Sequence, residues 1–148
     1  MEWAENLILG IGLAAAAIQD LKTRTISLRG LGLLALAGAA LTIIQCVRQG
    51  GPAQGAEAML GLLPGLAVLG ISRMTKGAIG EGDAWLLMVC GLFLGTFRVL
   101  ILFWSASVLI MLAGCVLMIK KRGNRKTALP MAPFLLVTYL ILWMGGVL

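Results

Sequence analysis

Charged residues in this chain are confined to short clusters, and between the clusters the sequence is almost continuously apolar. A helix that crosses the hydrocarbon core of a bilayer needs roughly 20 mainly apolar residues. Six such stretches follow one another: Trp3 to Gln19, Gly30 to Val47, Ala58 to Ser72, Asp83 to Thr96, Val99 to Ile119 and Thr127 to Leu148. Together they use most of the 148 residues and leave only short connections. Only 12% of the residues are charged, against about 25% in an ordinary soluble domain. The hydrophobic share is 60% and the mean hydropathy is +1.01. A water-soluble globule is excluded. So is a disordered chain, which needs low hydrophobicity and high charge. The pattern predicts an all-α integral membrane protein: a single membrane-embedded domain over residues 1–148, built as a six-transmembrane-helix bundle with short loops.

The fourth segment tests that count. Between Asp83 and Arg98 only 14 residues are uncharged, about 21 Å of helix against a core of about 30 Å. Charge distribution favours a full crossing nonetheless. With six crossings, the connections after segments one, three and five share one side of the membrane. They hold Lys22, Arg24, Arg29, Arg73, Lys76 and the five basic residues of Lys120 to Lys126, ten of the twelve Lys and Arg. Arg48 and Arg98 remain on the other side. Cytoplasmic loops carry the excess of Lys and Arg, so the crowded side is the cytoplasmic one. Both termini then lie outside, in a multi-pass protein of the cell membrane. Snorkelling of Arg98, or Asp83 at membrane depth, absorbs the shortness.

The net charge of +6 is thus explained by topology, and nucleic acid is not an expected partner; the bilayer is. The chain has no His, and Cys46, Cys90 and Cys115 are isolated in apolar surroundings with no C-x-x-C. A zinc site and a disulfide framework are therefore not expected, and without His a histidine-based nucleophilic triad is impossible within this chain. Glu2 and Glu5 stand where a cleavable signal peptide would carry basic residues.

What remains is the carboxylates, of which there are six. Glu2, Glu5 and Glu57 fall on the outer side at helix beginnings, where a negative charge complements the helix dipole. Asp20 and Asp83 fall on the inner side, at the end of segment one and the start of segment four. Each has an ordinary reading, as a solvated loop residue balancing Lys22 and Arg24 and as a helix N-cap. An ionisable residue at membrane depth costs about 2.5–3.5 kcal/mol and is a functional candidate by default. Asp83 ends the string Gly80-Glu81-Gly82-Asp83, and the two glycines remove side chains where an extended peptide could approach. Two carboxyls held together share a proton. One can act as general base on a water while the other, as acid, polarises a scissile carbonyl. No metal and no cofactor is required for that chemistry.

Three stretches resemble the type IV prepilin peptidase family, membrane aspartic peptidases of the GxGD group. They are AIQDLKTRTIS (Ala17 to Ser27), GAIGEGDAWLLMVCGLFLG (Gly77 to Gly95) and LPMAPFLL (Leu129 to Leu136), in the family's order and spacing. The resemblance implies Asp20 and Asp83 as the catalytic pair, with Gly80, Gly82, Pro130 and Pro133 as candidates for shaping a substrate groove. It implies cleavage of the basic N-terminal leader of a prepilin or pseudopilin-like protein at the cytoplasmic membrane face. Ser27 departs from the family's usual Pro. Trp85 stands where a Lys often follows the second Asp, which puts any Lys-assisted step in question but not the pair. The family's two-function members carry a cytoplasmic insertion with paired C-x-x-C motifs and methylate the new N-terminus. No such insertion is present here, so N-methyltransferase activity is not expected. The sequence leaves the particular prepilin, the pilus or secretion system and the oligomeric state open.

A reading from another class is a small proton- or cation-coupled transporter with the two Asp as ion ligands. Such proteins place their polar residues near the midplane on broken helices, whereas these acids sit at the inner mouth. A structural subunit without chemistry is the third reading. Other features have plain explanations. Gly61–Gly65 and Gly91–Gly95 form G-x-x-x-G pairs suited to close helix packing inside the chain. Pro64 is expected to kink segment three, Pro130 and Pro133 suit a helix start, and Trp3 and Trp143 suit the membrane interface. The Lys120 to Lys126 cluster serves as a topology anchor that also suits anionic lipid.

Overall fold

A computed structural model describes residues 2–23, 27–49, 53–75, 80–119 and 130–147. Among these residues there are five α-helices and no strand: α1 (Glu2–Thr23), α2 (Leu28–Gln49), α3 (Ala53–Met74), α4 (Glu81–Ile119) and α5 (Ala132–Met144). The physical reason is the solvent. In hydrocarbon each backbone N–H and C=O must be satisfied by the segment itself, and a helix does that. Four of the helices, α1 to α4, are long and apolar enough to cross a membrane, and α5 is a shorter apolar helix of 13 residues. The protein is a helical membrane protein.

Two antiparallel pairings set the architecture. α1 runs against α5, with Asp20 beside Ala132 at one end. At the other end the Tyr139 hydroxyl donates to the Asn6 carbonyl oxygen at 2.8 Å, and Trp3 meets Trp143 edge to face at 6.1 Å between centroids. α3 runs against the first part of α4, with Gly65 on Met88, Gly61 on Gly91 and Glu57 beside Gly95. The bundle therefore has an aspartate end and a glutamate end. At the latter the Gln45 side-chain amide donates to Glu5, and Glu5, Glu57, Arg48 and Arg98 line one polar cavity.

The segment boundaries differ from expectation in ways that matter. α1 continues through Asp20 and Lys22 to Thr23, so Asp20 belongs to the helix rather than to the connection after it. The polar loop expected over Arg48 to Glu57 is helical on both sides, because α2 extends to Gln49 and α3 begins at Ala53; residues 50–52 lie outside the described residues. Segments four and five both fall within the 39-residue α4, so five helices stand where six were expected. As a straight rod that helix would measure about 58 Å, nearly twice the hydrocarbon thickness. It is not continuous: Gly95 has φ 75° and ψ 178°. That is a left-handed backbone position that glycine adopts without steric cost, and it divides α4 after Leu94. Among the described residues of segment six, Ala132–Met144 is helical. The Lys120 to Lys126 cluster, Arg24 and Lys76 lie outside the described residues. Pro64 lies inside α3, which continues beyond it to Met74.

α4 is the central element. Leu86, Leu87, Cys90, Val99, Leu102 and Ala106 are fully buried, and they pack with Leu9 and Leu13 of α1 and Leu135 and Tyr139 of α5. α3 is drawn against α4 by the two G-x-x-x-G pairs, so these serve packing within the chain, as expected. A Cβ on either Gly61 or Gly91 would fall on the carbonyl oxygen of the other. Contact of this kind gains dispersion energy only because no side chain intervenes, and in a bilayer dispersion does most of the work of association. Gly91→Ala is therefore expected to destabilise the fold by about 1–3 kcal/mol, read as a lowered midpoint of thermal unfolding in detergent. Gly70→Ala, at a helical glycine with nothing within 4 Å of an added Cβ, should not lower it.

Candidate active site

The buried face of α1 leads to Asp20. Leu9, Leu13 and Ala17 recur every four residues along that face, and Asp20, three positions further, continues it. Asp20 is therefore turned into the bundle, at only 6% exposure. A buried carboxylate needs hydrogen-bond donors, and α5 supplies one. The Ala132 backbone N–H donates to Asp20 Oδ2 at 3.2 Å.

The start of α5 explains why that N–H is available. The first N–H groups of a helix have no partner within it. The N-cap is Met131, whose side chain makes no capping hydrogen bond, and its carbonyl oxygen accepts from Phe134 and Leu135 at 3.1 Å each. Pro133 has no N–H to offer. Ala132 is left with an unspent donor, and Asp20 takes it as a cap contributed by another helix. The positive end of the α5 dipole adds to the attraction. Pro130, half-buried just before the helix, and Pro133, within its first turn, thus frame the place where Asp20 docks.

Asp83 arrives from α4. It is the third residue of that helix and half-buried. The Gly80 carbonyl oxygen accepts the Asp83 N–H at 3.1 Å and the Ala84 N–H at 3.4 Å, which closes the first turn. The carboxylate folds back over Gly80, so that a Cβ there would lie 2.9 Å from Asp83 Oδ2. Gly80 thus makes room for the Asp83 side chain itself, a different reason from the approach of a peptide. Gly82 is half-buried within the same turn. Across the gap between α1 and α4, the charge of Asp20 acts on the Asp83 carboxylate. Both acids thus lie at the same end of the bundle, with the α5 start beside Asp20 and Gly80 beside Asp83.

Around this centre, Arg73 Nε lies 4.0 Å from Glu81 Oε1, and both side chains are well exposed. Such a surface pair contributes little. Trp85 is 40% exposed. Ser72, near the end of α3, is fully buried. Sequence reasoning did not single out the Ala132 N–H, because a backbone donor leaves no residue-type signal. The nearest trace was the Pro-Met-Ala-Pro spacing at the head of the last helix.

A helical membrane protein with two aspartates at one end of the bundle is the class these observations define. Comparison with protein families is consistent with it. The profile of the type IV leader peptidase family matches residues 7–120, and the chain belongs to that family. It is thereby a protein of peptidase type. The comparisons with curated proteins and with solved structures each gave no match.

The geometry at Gly80 makes a prediction. Gly80→Ala places a methyl group against Asp83 Oδ2 and displaces the carboxylate. Displacement of about 1 Å at a reacting group costs up to about 100-fold in rate. Peptidase activity should fall by about 10- to 100-fold while the melting profile stays that of the wild type, measured by leader cleavage and by thermal unfolding side by side.

Proposed function

We propose that the protein is an aspartic endopeptidase that removes the basic N-terminal leader of a prepilin-like protein at the cytoplasmic face of the cell membrane. What supports this reading is that Asp20 and Asp83, from helices far apart in the chain, lie at one end of the bundle, where the charge of one acts on the other. Family membership supplies the peptidase class.

In the reaction, one carboxylate takes a proton from a water molecule, and the hydroxyl forms a bond to the scissile carbonyl carbon. The partner carboxylic acid gives its proton to the carbonyl oxygen. Collapse of the resulting tetrahedral diol breaks the C–N bond as the amine leaves with a proton. The pair, rather than either residue, carries the acid–base behaviour. Asp20 and Asp83 are the catalytic residues. Gly80, Gly82, Pro130 and Pro133 hold the backbone around them, and the chemistry calls for neither metal nor cofactor.

Six crossings agree with the positions of the ends. Arg98 shares a cavity with Glu5 and Glu57, whereas Ala132 touches Asp20. The chain returns from one end to the other between them, and the 24 residues after Gly95 within α4 give about 36 Å of helix, enough for the core. Lys22, Arg29 and Arg73, at the ends of helices toward the aspartates, support a cytoplasmic position for that end, with both termini outside. Without a methyltransferase insertion, cleavage is the single activity. No feature of the site favours ion transport.

Asp20→Asn and Asp83→Asn should each lower cleavage by about 10²–10⁴-fold while the protein still inserts. The assay is co-expression with a candidate prepilin, with leader loss followed by gel shift and mass. Full activity in either variant would remove that aspartate from the mechanism.

A further inference from the structure

The end of the bundle away from the aspartates holds a second polar site, which peptide cleavage does not use. A cavity of about 570 Å³ opens there. Each of four helices sends one charged side chain to its lining: Glu5 from α1, Arg48 from α2, Glu57 from α3 and Arg98 from α4. Two charges of each sign therefore face one space. Side chains of opposite sign in one cavity can neutralise each other by pairing. Among the described residues, the side chains of Arg98 and Glu57 do not: neither makes a hydrogen bond or an ion pair. Both are exposed, so a guanidinium and a carboxylate stay on offer to an occupant.

The rest of the lining adds to both signs. The Gln45 amide donates to Glu5, which leaves the Gln45 carbonyl oxygen and further lone pairs of Glu5 as acceptors. Gly95 also lines the cavity, and its φ of 75° interrupts the helical ladder of α4. Half-helix ends of this kind hold charged groups at polar sites within membranes. The cavity thus offers donors to an anion and acceptors to a cation, in equal number.

Position and shape narrow the occupant. α1 begins at Glu2, α2 ends at Gln49 and α3 begins at Ala53, so the cavity lies at helix ends, where lipid headgroups meet the protein. Phe97 forms part of its wall and is 74% exposed, which joins the polar space to the apolar outer surface of the bundle. A molecule with a zwitterionic head and an apolar tail matches that succession. A primary ammonium has three N–H donors for the carboxylate and amide oxygens. A quaternary ammonium has none and is held instead by aromatic faces. A headgroup with net negative charge would meet two carboxylates with no cation of its own to offset them.

We propose that this cavity is a binding site for a phosphoethanolamine group, as carried by a zwitterionic phospholipid. Arg98 and Arg48 hold the phosphate, Glu57 and Glu5 hold the ammonium, and the acyl chains leave past Phe97. Occupancy ties together the ends of four helices. The inference is independent of the peptidase reading.

The test is thermal unfolding of the full-length protein in a mild detergent, titrated with short-chain phosphatidylethanolamine. A ligand that binds only the folded state raises the midpoint in a saturable way. Phosphatidylethanolamine should do so, and phosphatidylcholine and phosphatidylglycerol of the same chain length should act about tenfold more weakly or not at all. Arg98→Gln and Glu57→Gln remove no contact within the chain, so their midpoints without lipid should be those of the wild type. Each should weaken the apparent affinity for phosphatidylethanolamine about tenfold or more. Arg73→Gln, at the opposite end of the bundle, should leave it unchanged. Glycerophosphoethanolamine, the same headgroup without acyl chains, separates the two sources. A response much weaker than the lipid's is expected, and an equal response would show that the site takes a soluble zwitterion and would overturn the assignment to lipid. Equal stabilisation by all three lipids, or an undiminished response in Arg98→Gln or Glu57→Gln, would overturn the site itself.

Discussion

A backbone in hydrocarbon must satisfy its own hydrogen bonds, and the rest of this structure follows from that requirement. It forces the chain into helices and leaves unpaired N–H groups only at their starts. Polar chemistry is thereby pushed to the ends of the bundle. At the aspartate end, the start of α5 has one N–H not spoken for, because proline occupies the next position, and the buried carboxylate of Asp20 fills that vacancy. The contact joins residues 112 apart in sequence. It holds α1 and α5 in register and fixes one of the two acids.

The other acid is fixed by packing. Gly61 and Gly91 let α3 and α4 approach until their backbones touch, and this sets the depth at which α4 enters the bundle. Asp83 sits two turns earlier on α4, so the glycine contact controls where its carboxylate lies. Gly95 then breaks the helix at the far end, beside Glu57. The first part of α4 is therefore a short rod, clamped by α3 along its length and bounded by glycine at both ends. A short rod carrying one acid, set against a long helix carrying the other, gives a geometry that neither helix has alone.

Much of this was legible in the sequence because the membrane simplifies the reading. Charges could lie only at helix ends, so the positions of twelve cations and six anions located the ends and pointed to Asp20 and Asp83. The close-packing role of the paired glycines was legible for the same reason: without a side chain, little else was left for them to do. The less legible features were those carried by backbone. The break at Gly95 depends on a dihedral angle, so segments four and five were separated in the sequence by Arg98 rather than by the residue that divides them. α1 was ended one turn early at the first charge, although a helix that buries its aspartate continues past it. Gly80 was read as space for a substrate, whereas its nearest neighbour is the carboxylate three residues on.

The central claim is that Asp20 and Asp83 act as one unit, and a double-mutant cycle on prepilin cleavage tests it most directly. The rates of wild type, Asp20→Asn, Asp83→Asn and the double variant would be measured on the same membrane-embedded substrate. Residues that act as a unit are strongly non-additive. The account predicts that the double variant is no slower than the slower single variant. Losses that multiply would show two groups contributing independently, and would contradict it.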